Sequence, residues 1–119
     1  MRVPEIELLW WEGCPSMPRA LDELRAALSD VGLGGVDVRV REIRTDADAD
    51  ADEFRGSPTI LIDGIDLVAT GGDAGADAEP IGLSCRVYRR RDGRISPTPD
   101  PDDLREALQH AAARAEEKT

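Results

Sequence analysis

Trp10-Trp11-Glu12-Gly13-Cys14-Pro15-Ser16-Met17-Pro18 joins two different periodicities. Before it, residues 5–11 read as a strand. Ile6, Leu8 and Trp10 fall on one face and Leu9 and Trp11 on the other, because successive side chains alternate across a strand. Apolar residues on both faces predict a central strand covered from both sides, as in an α/β layer fold. After it, residues 16–32 read as a helix. Ala20, Leu21, Leu24, Ala27, Leu28 and Val31 fall on one buried face, at helical spacing. Gly13 supplies a turn and Gly32 a C-terminal stop. Cys14 is thus a thiol at a strand-to-helix junction.

Working outward, residues 36–43 alternate as a half-buried edge strand, with Val36, Val38 and Val40 inward. Strand, helix and strand make a right-handed βαβ unit with a parallel pair. The acidic stretch from Asp46 to Phe54 fails as an EF-hand loop, because Ala51 and Ser57 stand where glycine and glutamate are needed. It reads instead as a short helix favoured by acids at its N-terminus and anchored by Phe54. Thr59 to Ile62 is a β-branched strand opened by Pro58 and followed by a hairpin signal, Asp63-Gly64. Residues 65–83, rich in Gly and acids, read as a flexible acidic insertion. Residues 85–90 alternate again as a last strand, with Cys85, Val87 and Arg89 on one face; Cys85 reads as a buried small side chain and the basic cluster of Arg86 and Arg89 to Arg91 as the exposed side of a strand. A final helix covers 102–117, with Asp100 as N-cap and Pro101 at its first position.

Composition narrows the function. A net charge of −10 repels phosphate backbones and argues against nucleic-acid binding. No apolar run approaches the roughly 20 residues of a membrane helix. The start, Met1-Arg2-Val3-Pro4-Glu5, is not a secretory signal, so a cytoplasmic location is expected. The two cysteines, Cys14 and Cys85, with His110 as the one histidine, do not make a zinc pattern, and no metal is expected.

The element order β-α-β-α-β-β-α, with Gly13-Cys14-Pro15 at the first junction and Ser57-Pro58-Thr59 before a hairpin, resembles the thioredoxin superfamily. It is most similar to the small bacterial glutaredoxin-like and thioredoxin-like members. Arg55-Gly56-Ser57-Pro58-Thr59 and Gly82-Leu83-Ser84-Cys85-Arg86 also resemble proteins labelled alkylmercury-lyase-related. The resemblance covers the chain as a single domain, 1–119, apart from the insertion. It implies a mixed four-stranded sheet in the order 2-1-3-4 with helices on both faces. It also implies that Cys14 is the nucleophile, that Pro58 is a cis-proline facing it, and that Ser57 offers backbone to a bound peptide. Met17 stands where that family has its second cysteine, which removes two-thiol exchange through a Cys-x-x-Cys motif.

The expected site is therefore Cys14, with Trp11, Pro15, Ser57, Pro58 and Thr59 around a substrate. Cys85 is the candidate second thiol. As the start of the last strand it is expected roughly 17 Å from Pro58, whereas a disulfide needs Cα atoms within about 7 Å. Direct pairing with Cys14 is not expected. Three function classes follow. One is monothiol redox or thiol exchange with a small thiol or a disulfide-bearing peptide or protein, needing no bound cofactor beyond an external thiol such as glutathione. A second is a binding module of the same fold without turnover. The third is a handler of soft metals or organomercurials.

Overall fold

The computed structural model describes residues 3–70 and 81–117. Its first strand, β1 (Ile6–Trp10), lies inside a four-stranded sheet, as a strand apolar on both faces must. A helix, α1 (Met17–Asp30), returns the chain to β2 (Val38–Glu42), which pairs in parallel with β1, Ile6 opposite Val38 and Trp10 opposite Glu42. β2 is the edge, and Val40 there stays 38% exposed. After a short helix, α2 (Asp46–Ala51), β3 (Thr59–Ile62) pairs antiparallel on the other side of β1, Leu9 opposite Thr59. Asp63 and Gly64 both have positive φ, 54° and 79°, the geometry of a two-residue type I′ hairpin. They lead into β4 (Ile65–Asp66) and a one-turn helix, α3 (Leu67–Thr70). The sheet is mixed, in the order β2-β1-β3-β4.

The fourth strand is a correction to the sequence reading. It is Ile65–Asp66, directly after the hairpin turn, and not residues 85–90. The first six residues of the expected insertion therefore belong to the sheet and its cover, and Leu67 joins the core. Of the rest of that expectation, 71–80 lies outside the described residues, and 81–83 run as an irregular bend. Beyond it, β5 (Tyr88–Arg89) and β6 (Ile95–Ser96) form their own two-stranded ribbon about the Asp92-Gly93 turn. The last described element is α4 (Pro101–Glu117), where Asp100 accepts the Asp102 N–H at 2.9 Å as its cap.

Both faces of the sheet are covered. Ile6, Leu8, Ile60 and Ile62 pack with Leu24 and Leu28 of α1 and Leu104 and Leu108 of α4; Met17 lies against this cluster. On the other face Leu9 packs with Ile43, Ala49 and Phe54. Phe54 is 0% exposed, and truncating such a ring typically costs ~3–5 kcal/mol.

Two helices end alike. The Leu33 N–H donates to the Leu28 carbonyl and the Gly32 N–H to Ser29, and likewise Phe54 to Ala49 and Glu53 to Asp50. This is the Schellman stop, whose turning residue is left-handed. Gly32 fills that place after α1 at φ 82°; after α2 it is Glu53, at φ 51°. The second stop swings the chain from Phe54 in the core toward Ser57. Among the described residues no helix is long and apolar enough to cross a membrane.

Candidate thiol site

The turn after β1 closes with the Cys14 N–H on the Trp11 carbonyl at 3.1 Å. Gly13 lets the Trp11 ring lie over the turn: a Cβ on it would lie 2.4 Å from that ring, which would have to move. Ser16 is the residue before α1, and the Ala20 N–H bonds its carbonyl at 3.0 Å. Pro18 stands in the first turn, where a missing N–H costs nothing. Cys14 therefore sits two residues ahead of the helix cap, covered but not deep, at 4% exposure.

Its sulfur has a defined set of neighbours. Sγ lies 3.4 Å from the Ser57 carbonyl oxygen and 3.6 Å from Ser16 Oγ. One thiol proton serves one acceptor; when the sulfur ionises, the Ser16 hydroxyl can turn and donate to it. Burial acts against ionisation and is the largest single influence on Cys14. The Cys85 thiol, the Ser16 N–H and hydroxyl, and the Ser57 hydroxyl act the other way, and together they hold Cys14 below its ordinary value. Cys85 is pushed up, first because it donates to Cys14, then by burial and by the charge on its neighbour.

Cys85 is thus beside Cys14, a second correction. Residues 84–86 do not extend the main sheet. They run alongside Ser57, which forms a parallel β-bridge with Cys85. The Ser57 N–H donates to the Ser84 carbonyl at 2.8 Å, and the Arg86 N–H donates to the Ser57 carbonyl at 2.8 Å. The distance estimate from strand length fails because it assigned this segment to the sheet hairpin. The alternation expected along 85–90 is real, but its faces are exchanged. Cys85, Val87 and Arg89 are exposed, while Arg86 and Tyr88 are buried at 3% and 5% exposure. A one-residue shift exchanges every side chain between faces.

The buried pair locks the loop that holds Ser57. Arg86 Nη1 donates to Asp66 Oδ2 at 2.8 Å and to Thr59 Oγ1 at 3.1 Å, and its guanidinium stacks on the Tyr88 ring 5.2 Å from the centroid. The Tyr88 hydroxyl donates to the Pro58 carbonyl at 2.6 Å. The Ser57–Pro58 peptide bond is cis. Gly56, at φ 118°, lets Arg86 approach; a Cβ there would lie 2.9 Å from Arg86 Cβ. Sequence reasoning missed Arg86, Tyr88 and Asp66. The signal for the first two was the alternation itself, taken with the opposite face inward.

Of the expected site residues, the structure brings Cys14, Ser57, Pro58 and Cys85 together. Two of the expected site residues are engaged within the chain. Thr59 is 1% exposed, and its hydroxyl donates to the Gly56 carbonyl at 2.6 Å and accepts from Arg86, which locks the loop. The Ser57 backbone, expected to receive a bound peptide, is already paired with residues 84 and 86 of the same chain. Trp11 packs on the Phe54 cluster and walls a cleft of about 330 Å3 with Glu12, Glu42 and Arg44 on the β2 side of the turn. Pro15 is exposed beside the thiol.

One group has no conventional partner. Ser57 is 0% exposed, and among the described residues its Oγ makes no hydrogen bond of good geometry. Its hydroxyl favours the thiolate form of Cys14, a stronger acceptor than the neutral thiol. Among the described residues no group of three or more His, Cys, Asp or Glu side chains is placed to hold a metal ion. Comparison of the chain with protein-family models, with curated proteins and with solved structures gave no match in any of the three.

Proposed function

We propose that this is a thioredoxin-type thiol protein that exchanges disulfides through Cys14. The observation that carries the reading is the sulfur's surroundings. Cys14 Sγ lies 3.6 Å from the Ser16 hydroxyl, and the Cys85 thiol, the Ser16 N–H and hydroxyl and the Ser57 hydroxyl favour its thiolate against the opposing effect of burial. The thiolate is the nucleophile in exchange. The β2-β1-β3-β4 order of the sheet and the resemblance of Gly13-Cys14-Pro15 and Ser57-Pro58-Thr59 to the thioredoxin superfamily support the same reading. The partners on this reading are small thiols and disulfide-bearing peptides in the reducing interior of a cell. No bound cofactor takes part.

The test is the rate of Cys14 alkylation against pH in the native protein, with the label on Cys14 counted by peptide mass so that one thiol reports. Reactivity should titrate below the free-cysteine value of about 8.5. A midpoint at or above that value, with no mixed disulfide formed from oxidised glutathione, would sink the proposal.

The meeting of two thiols also favours a second reading, capture of a soft cation between Cys14 and Cys85, since thiolates select such ions. Titration with a thiophilic cation separates the two. One ion held per pair of thiols supports capture, and one per cysteine removes it.

A further inference from the structure

We infer that Cys85 is the resolving thiol of Cys14, delivered by the 84–86 segment and not by a Cys-x-x-Cys motif. This rests on the proposal that Cys14 attacks disulfides, and it deepens that proposal. Three observations carry it. The β-bridge places Cys85 beside Ser57, and the Ser57 carbonyl touches the Cys14 sulfur at 3.4 Å. The placement is built: the Ser57–Ser84 and Arg86–Ser57 hydrogen bonds fix the segment on either side of Cys85, and Arg86 is anchored in turn by Asp66 and Thr59. Cys85 is exposed while Cys14 is covered, so the second thiol stands on the solvent side of the first.

The steps balance. The Cys14 thiolate attacks one sulfur of a substrate disulfide. A Cys14–substrate disulfide forms, the substrate S–S bond breaks, and the first substrate thiolate leaves. The Cys85 thiol gives its proton to that departing thiolate. Its sulfur then attacks Cys14 Sγ, forming the Cys14–Cys85 disulfide and expelling the second substrate thiolate. Two electrons pass from the protein thiols to the substrate disulfide, which ends as one thiol and one thiolate. The donor role that holds the Cys85 proton belongs to the Cys14 thiolate, and it ends when that sulfur enters the mixed disulfide. Cys85 is therefore released for attack by the first step.

The experiment uses the aryl disulfide dithiobis(nitrobenzoate) in limiting amount on the full chain, with released nitrothiolate and protein mass as readouts. For each reagent molecule consumed, the native protein should free both nitrothiolate halves and become lighter by the mass of two hydrogens. Cys85→Ser, and Cys85→Ala as a second variant, should free the first half, more slowly near neutral pH because a donor to Cys14 is lost, and keep the other half on Cys14. Cys14→Ser should lose the fast first release. The inference is overturned if the native protein retains an adduct on Cys14, or if the Cys85 variants free both halves as the native protein does. In the first of these outcomes the exchange proposal survives. If the Cys85 variants form no adduct on Cys14 and lose no fast release on replacing Cys14, the exchange proposal itself falls, and this inference with it.

Discussion

Ser57 and Cys85 lie side by side across a parallel β-bridge, and the Ser57 carbonyl that receives the Arg86 N–H at 2.8 Å also receives the Cys14 thiol at 3.4 Å. One buried carbonyl therefore joins the two cysteines, which are far apart in sequence. The backbone edge next to Pro58 is spent on the chain's own segment. If Cys14 exchanges disulfides as proposed, its substrates reach it without pairing to Ser57, which favours small or slender disulfides over an extended peptide laid along this edge.

Gly56 controls how closely that segment can approach. A Cβ there would stand 2.9 Å from Arg86 Cβ and 3.1 Å from its backbone nitrogen, at a φ of 118° that side chains rarely adopt. Gly56→Ala should therefore push residues 84–86 away from Ser57. We expect a loss of stability of about 1–3 kcal/mol, read from the denaturant midpoint. We also expect the alkylation midpoint of Cys14 to rise, because its Cys85 donor is displaced. A destabilised variant with an unmoved midpoint would show that the segment does not set the thiol.

Tyr88 gives a pH signature. Its hydroxyl donates to the Pro58 carbonyl at 2.6 Å, and burial pushes it far above its ordinary value. The folded value exceeds the unfolded one, so this group's contribution is complete below the unfolded value of about 10 and is lost as pH rises beyond it. Tyr88→Phe should cost about 1 kcal/mol at neutral pH through the lost hydrogen bond, and its deficit should shrink above pH ~10. Tyr88 is the one tyrosine of the chain, so tyrosinate absorbance during an alkaline titration reports it alone. A deficit that stays constant with pH would contradict the assignment.

What could be read from the sequence, and what could not, divides along physical lines. β1 and α1 were legible because five or more side chains repeat one pattern and nothing distant competes with it. The Asp63-Gly64 turn was legible because few residues tolerate two successive positive φ angles. β4 was not, since two residues, Ile65 and Asp66, are too short to show a period. The face of residues 85–90 was misread because arginine is normally an outside residue. Arg86 is inside because Asp66, Thr59 and the Tyr88 ring meet it there, and Asp66 lies 20 residues away in the chain. The thiol and its proline could be found from local motifs. The second thiol could not, because its place depends on that buried ion pair.

Glu53 tests the approach to the site from the other direction. It turns the chain out of α2 at φ 51°, a left-handed conformation that costs a residue with a Cβ roughly 1 kcal/mol and glycine nothing comparable. Glu53 is exposed, so little packing is lost on replacement. Glu53→Gly should raise stability by about 0.5–1 kcal/mol and leave Cys14 reactivity unchanged. A fall in stability would mean that the Glu53 side chain contributes more than its backbone conformation costs.

Ser57→Ala separates the fold from the chemistry most sharply. The Ser57 hydroxyl is fully buried and makes no hydrogen bond of good geometry among the described residues. Such a group costs about 1–3 kcal/mol. Alanine removes the cost and nearly keeps the shape. At pH about 6, where a thiol of ordinary value is protonated, the variant should therefore be as stable as the native protein or more so. The thiolate state reverses the balance. Cys14 lies below its ordinary value, so its contribution to stability is complete above the unfolded value and is lost as pH falls through the folded one. Without the Ser57 hydroxyl that alkaline contribution shrinks, and the alkylation midpoint of Cys14 moves up. Denaturant midpoints at pH about 6 and about 9, beside the alkylation profile, check both halves. A variant that loses stability at the lower pH and keeps the native alkylation midpoint would show that the hydroxyl serves the fold and not the thiolate.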